Sequence, residues 1–288
     1  MINRRHIRVK VMQSVYAMYH SQSDDLTKEL KFLKLSIQKM LDLYTLNLLL
    51  LIEVQKLAEK KIELSKKKIL ATTEDLQPNT KFVNNRLIAV LKDSVSLEGF
   101  VELNKLNNWD LDSEYVKIIW QELQDSDLYA KYMNRTEDSF SFDKEFIIEF
   151  FKTIIAPNEK LGDYYEDLMI SWVDDIPFVN TWIVKSLNKI SSKKPFLLGS
   201  IYKDSDDKEF VEKLFNKTML NHHKYDDDIK EKTINWEADR IADMDMILLK
   251  MAITEFLHFP SIPSRVTINE YIELAKDCLL YTSDAADD

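Results

Sequence analysis

The residues best suited to chemistry in this 288-residue chain are cations crowded at its start, in "RRHIRVK". Arg4 and Arg8 are spaced i, i+4 and Arg5 and Arg8 i, i+3, so on a helix the three guanidiniums share one face and can follow consecutive phosphates. Lys10 adds a fourth cation. The placement runs against the helix dipole, which favours acids in the first turn. Either an outside anion partners these cations or they form a mobile basic terminus.

Elsewhere the side chains offer little catalysis. His222 and His223 are sequence neighbours, which point apart on a helix, whereas a two-histidine metal site wants i, i+4 spacing. Acid pairs such as Asp174 and Asp175 suit helix starts and solvated turns. A serine nucleophile elbow is absent. No catalytic residue, metal site or cofactor is expected.

The elements that must position the basic cluster are helices. Three glycines (Gly99, Gly162, Gly199) and six prolines are too few for Gly-rich phosphate loops or closely spaced hairpins. Abundant Leu, Lys, Glu and Met favour helix. The single cysteine, Cys278, excludes an intramolecular disulfide. The apolar run "LNLLLLIEV" is shorter than the roughly 20 residues a membrane-spanning helix needs, so a cytoplasmic protein without membrane contact is expected. Charge is polarised: residues 1–70 hold 14 Lys and Arg against 7 Asp and Glu, and residues 71–288 hold 25 against 42. A local anion-seeking surface on an acidic body fits that distribution, as does a solvated face for "EKKIELSKKK".

The first helix is predicted over residues 3–21, capped by Asn3, with Ile7, Val11, Val15 and Met18 as its apolar stripe. A long helix follows over about 26–70, broken once. The turn-rich stretch at 134–143 suggests a boundary. Beyond it, residues 144–175 align without gaps onto 208–239, pairing Phe146 with Phe210, Phe151 with Phe215 and Trp172 with Trp236, which implies a duplicated helix pair ending on a buried Trp. Then "WEADRIADMDMILLKMAITEFLHF" forms a helix covered on more than one side. After "PSIPSRV", either Pro263 opens the last helix, or Thr267 caps it in a box with Glu270. In the first case Asn269 lies inside the helix and, if buried, serves as a structural latch.

At this point "RRHIRVKVMQSVYAMY", "DMDMILLKMAITEF", the proline break and "VTINEYIELAKD" together resemble the NusB family of transcription antitermination factors. Arg5, Arg8, Gln13 and Tyr16 fall on that family's first-helix pattern. Asp245, Lys250, Glu255, Pro263, Asn269, Glu270, Ala275 and Lys276 fall on its C-terminal pattern. The resemblance implies an all-α fold of NusB-like helical bundle subdomains, no catalysis, and binding of boxA-type single-stranded RNA through the basic first helix; with the cation cluster, the candidate contacts are Arg4, Arg5, Arg8, Lys10, Gln13 and Tyr16. It further implies pairing with the ribosomal protein NusE within the RNA polymerase antitermination complex. Asp245, Lys250 and Glu255, which interrupt an otherwise apolar helix, are the expected partner surface, and Trp236, Pro263, Asn269 and Glu270 the structural residues.

The chain is about twice as long as a compact NusB and looks like the long, Bacteroidetes-type form. The expected organisation is a basic first helix at 1–21, a helical insertion at 22–143, a helix-pair repeat and linker at 144–207, and an incomplete C-terminal bundle at 208–277. Residues 278–288, "CLLYTSDAADD", read as translated sequencing adapter, with the native helix interrupted near Asp277. Two rivals remain: the N-terminal part of an RNA cytosine methyltransferase, and a helical scaffold that binds protein alone.

Overall fold

The computed structural model describes residues 1–232 and 242–284, with side chains through Asp277. In chain order its α-helices are α1 (Arg4–Ser21), α2 (Leu26–Lys66), α3 (Thr73–Leu76), α4 (Arg86–Lys92), α5 (Val95–Asn104), α6 (Asn108–Leu111) and α7 (Ser113–Gln124). They continue with α8 (Asp127–Asn134), α9 (Phe140–Phe150), α10 (Glu159–Leu168), α11 (Ile176–Lys189), α12 (Ser205–Lys232), α13 (Asp243–His258) and α14 (Ser264–Asp284). A π-turn at Phe151–Ile155 and a 3-10 turn at Ile170–Trp172 complete them, and the described residues contain no strand. The fold is all-α.

The chain divides into two compact units, one made of Met1–Gln38 with Ser200–Asp288 and the other of Lys39–Gly199. Residues 134–143, expected to be a boundary, lie inside the second unit, where α8 and α9 pack together.

In the first unit α1 begins where Asn3 Oδ1 accepts the His6 amide at 2.8 Å, and it ends at Gln22, whose left-handed backbone (φ 53°) turns the chain. Ile7, Val11, Val15 and Met18 are buried at helical spacing, as expected. They meet α12 and α13, and α13 packs in turn on α12 and α14. Phe210, Leu214 and Phe215 of α12 supply the facing core, with Ile247, Leu248 and Met251 of α13 and Tyr271 and Leu274 of α14. Burying each such side chain contributes about 1.5–3 kcal/mol.

In the second unit the apolar run of α2 is core. The helix has the length and hydropathy of a membrane span, but 78% of that window is buried inside the protein. Trp172 Nε1 donates to the Lys39 carbonyl at 3.1 Å and Trp109 Nε1 to that of Leu46 at 2.9 Å, while Tyr44 stacks on Trp182 at 4.1 Å. The expected break in α2 does not occur, because Leu, Ile and Val supply an unbroken buried face.

Among the described residues the expected duplicated helix pair is not reproduced. Residues 144–175 form a helix pair broken at Pro157 and restarted by Asn158, whose Oδ1 accepts the Leu161 amide at 3.0 Å. Their counterparts are Asn221 and His222, which sit inside the continuous α12. Proline lacks the N–H that a helix interior uses; Asn221 instead bonds the Lys217 carbonyl and lets the helix run. Trp236 lies outside the described residues. The backbone of α14 stays helical through Asp284 rather than stopping near Asp277. The side chains of 278–284 and all of 285–288, on which the adapter reading turns, also lie outside the described residues.

Candidate nucleic-acid interface

The first two turns of α1 bring their cations against three other helices of the same unit, and each arginine hydrogen-bonds a different acid, with Arg8 Nη1 also 3.7 Å from Glu270 Oε2. Arg4 Nε donates to Asp207 Oδ1 at 3.0 Å, at the start of α12. Arg5 donates to both oxygens of Glu270 in α14, Nε to Oε2 at 2.9 Å and Nη2 to Oε1 at 3.1 Å. Arg8 donates to both oxygens of Glu255 in α13, Nε at 2.8 Å and Nη2 at 2.7 Å. The last pair is interior: the side chains are 3% and 0% exposed.

Because a carboxylate has about four lone-pair sites, Glu255 needs more than one fork of donors. Thr267 Oγ1 donates to Oε1 at 2.8 Å and the Tyr271 hydroxyl to Oε2 at 3.3 Å, both from the buried side of α14. Arg8 also lies over the Phe210 and Tyr271 rings, 5.3 and 5.9 Å from their centroids. Burial opposes the Arg8 charge, but the hydrogen bonds and Coulomb attraction of Glu255 outweigh it and hold the guanidinium protonated more firmly than usual. Burial and the Glu255 charge push the Tyr271 hydroxyl well above its ordinary range, so it remains a donor. The Arg5 hydrogen bonds hold Glu270 below the usual carboxylate range.

The exposed face expected for the three guanidiniums, with Lys10 as a fourth cation, is therefore corrected. Lys10 is buried at 2% exposure and Arg8 serves the interior, where it meets Glu255 of α13. Arg4 and Arg5 remain, each with nearly half of its side chain in solvent. Together with Arg8 they line a cleft of about 620 Å³, whose far wall is Ser261, Ile262, Pro263, Val266 and Glu270. The cleft thus holds the N-terminal segments of both α1 and α14, where backbone N–H groups lack helical acceptors and the dipole attracts anions. Farther along α1, Gln13 is half-buried, and exposed Tyr16 lies 4.2 Å from the His20 ring.

The expected partner surface is also rearranged. Glu255 is buried as described, and Lys250 is buried with Nζ 2.8 Å from Asp226 Oδ1 of α12 and 5.7 Å from the Tyr19 ring centroid. Both charges join helices within the unit rather than forming intrahelical pairs or a free surface. Asp245 alone is half-exposed. Pro263 opens the last helix: its carbonyl accepts the Val266 amide at 2.8 Å, and Thr267 is an interior residue and no cap. Asn269 is exposed, so the latch between α13 and α14 is Thr267 with Tyr271. The i, i+4 spacing of those two residues was the available signal. Asp207, the Arg4 partner, carried none beyond its place in an acidic run.

Among the described residues, no group of three His, Cys, Asp or Glu is placed to hold a metal. Among the described residues, α1, the first part of α2, α12, α13 and α14 make a helical unit whose arginine-lined cleft lies between two helix starts. The sequence model of the NusB family matches residues 181–284, from within α11 to the end of α14, so this region carries a NusB-family domain. The transcription antitermination protein NusB of Alkaliphilus oremlandii is 41% identical over 86 residues, 30% of this chain and 59% of that protein. That of Salinibacter ruber is 41% identical over 73 residues, covering 25% and 46%, and that of Chloroherpeton thalassium 37% over 83 residues, covering 29% and 39%. The chain spans about half the length of the curated relatives it matches. No solved structure matches it.

Proposed function

We propose that this protein is a non-enzymatic, RNA-binding transcription antitermination factor of NusB type. In this reading the cleft between α1 and the start of α14 takes the phosphates of a boxA-type single strand. The observation that carries it is the convergence of Arg4, Arg5 and Arg8 with two helix N-termini on one open cleft. Arg4 engages its acid through Nε and Arg5 through Nε and Nη2, and their half-exposed guanidiniums keep the remaining N–H donors for a ligand. Arg8 holds the wall in place from inside. Exposed Tyr16, three turns along α1, offers a face on which an unstacked base can rest.

Work in the cytoplasm with the ribosomal protein NusE and the RNA polymerase antitermination complex belongs to the same reading. The exposed apolar residues Leu249, Phe256 and Leu257 of α13 are the surface proposed for NusE, in place of the buried Glu255 and Lys250.

Titration of a fluorescent boxA-type RNA across salt concentrations tests the reading. Two phosphate contacts on a single strand give a log-log salt slope of about -1.4, and an Arg4→Ala, Arg5→Ala double variant should lose both affinity and that slope. Unchanged affinity and slope in the folded double variant would refute the cleft as the RNA site.

A further inference from the structure

Residues 176–199 of the second unit hold four lysines and no aspartate or glutamate, although residues 71–288 as a whole carry 25 Lys and Arg against 42 Asp and Glu. The four are Lys185, Lys189, Lys193 and Lys194. All are exposed, and none makes an ion pair among the described residues. Like charges gathered on one stretch of chain repel one another, and an external anion relieves that repulsion.

The ordinary reason for lysines at this place is the C-terminal end of α11, whose free carbonyls attract cations. A fifth lysine already serves them. Lys144 of α9 donates from Nζ to the Asn188 carbonyl at 3.0 Å and to that of Ile190 at 3.4 Å. The other four are therefore surplus to capping. Lys185 and Lys189 are spaced i, i+4 on α11, which sets their Cβ atoms about 5–6 Å apart. Lys193 and Lys194 follow in a turn, where Ser191 Oγ accepts the Lys193 amide at 3.2 Å and the Ser191 carbonyl accepts the Lys194 amide at 3.4 Å. Beyond Pro195 the chain is tied to the start of α5. Ser94 Oγ donates to the Phe196 carbonyl at 2.8 Å, and Ser96 Oγ accepts the Leu198 amide at 2.9 Å. The backbone that carries the four ammoniums is thus held at both ends, which lowers the ordering cost of binding.

We propose that this lysine cluster is a second, sequence-independent RNA contact that takes the phosphates of a single strand. The choice of RNA as the anion rests on the RNA-binding reading above. Lysines suit that task because they engage phosphate as point charges without the geometry that selects a base. A lipid surface would want an apolar face beside the cations, and Leu197 is the one large apolar side chain exposed in residues 176–199.

The test is a titration of the full-length protein with poly(U), which lacks a boxA sequence, across salt concentrations. Replacing the four lysines together (Lys185→Gln, Lys189→Gln, Lys193→Gln, Lys194→Gln) should flatten the log-log salt slope by about 2.8, from about 0.7 per lysine, and four Lys→Arg replacements should preserve it. Because all four side chains are exposed, both variants are expected to fold, which circular dichroism checks. The Arg4→Ala, Arg5→Ala variant should flatten the slope by no more than about 1.4. Unchanged affinity and slope in the folded glutamine variant would overturn the cluster as an RNA contact, while a continued loss in the arginine variant would leave the cleft standing. No RNA binding by the unaltered protein would overturn both. Loss of poly-glutamate binding without loss of RNA binding would make the partner an acidic protein and overturn the proposal.

Discussion

Replacing Arg8 by methionine isolates the buried charge that organises the first unit. The change keeps most of the side-chain volume but leaves Glu255, at 0% exposure, without its countercharge. Breaking one side of a buried ion pair costs about 3–5 kcal/mol. The Thr267 and Tyr271 hydroxyls still donate to the carboxylate, so we expect the lower end, about 3 kcal/mol. Against a domain stability of about 5–15 kcal/mol that is a large fraction. At about 3 °C per kcal/mol for a domain of this size, melting should fall by about 10 °C. Adding Glu255→Leu removes the stranded charge, and the double variant should recover about 2 kcal/mol relative to the sum of the singles. Hydrogen exchange at the α1 amides reads this unit apart from the other, which matters because two units need not unfold together. A loss below about 1 kcal/mol for Arg8→Met, or strict additivity of the pair, would refute the interior role assigned to this contact.

Arg5→Ala should show the opposite pattern: the half-exposed pair changes stability by less than about 1 kcal/mol, while the RNA salt slope falls by about 0.7. Asn3→Ala removes the α1 cap and should cost about 1 kcal/mol in urea unfolding. Glu270 has a folded pKa below its unfolded value, so its contribution is present above the usual carboxylate pKa of about 4.3 and lost as pH falls through the lower folded value. Glu270→Gln should remove that acid-side loss in denaturation at neutral and low pH, and should raise RNA affinity by freeing Arg5. Burial, then the nearby Lys217, Lys213 and Lys224, depress the His258 pKa, so its proton NMR titration should centre below 6.5.

Much of this was legible in the residues. Asn3 and the spacing of Ile7, Val11 and Val15 defined α1, and glycine scarcity with long apolar periodicities defined the all-helical class. The burial of Arg8, Lys10, Lys250 and Glu255 was not legible, because charged side chains in amphipathic helices ordinarily face water. Their interior placement depends on partners from other helices, and Arg8 and Glu255 lie 247 positions apart. The beginning of the last helix was undecided between Pro263 and Thr267 since both satisfy local capping rules. The carboxylate of Glu255 settles it by drawing Thr267 inside. The apparent repeat failed at one residue, Pro157, whose chemistry outweighs the matched aromatics around it.

The first unit is built from the two ends of the chain, with the whole second unit encoded between them. During synthesis at about 5–20 residues per second, Arg8 is added roughly 12–50 s before Glu255. Throughout that interval Ile7, Val11 and Val15 have no α13 to cover them, while residues 39–199 can already collapse around α2. A nascent chain of this kind therefore presents a sticky, cationic N-terminal helix to chaperones long before its bundle can close. Slowing translation in the second half of the message should lengthen that exposure without altering the finished protein.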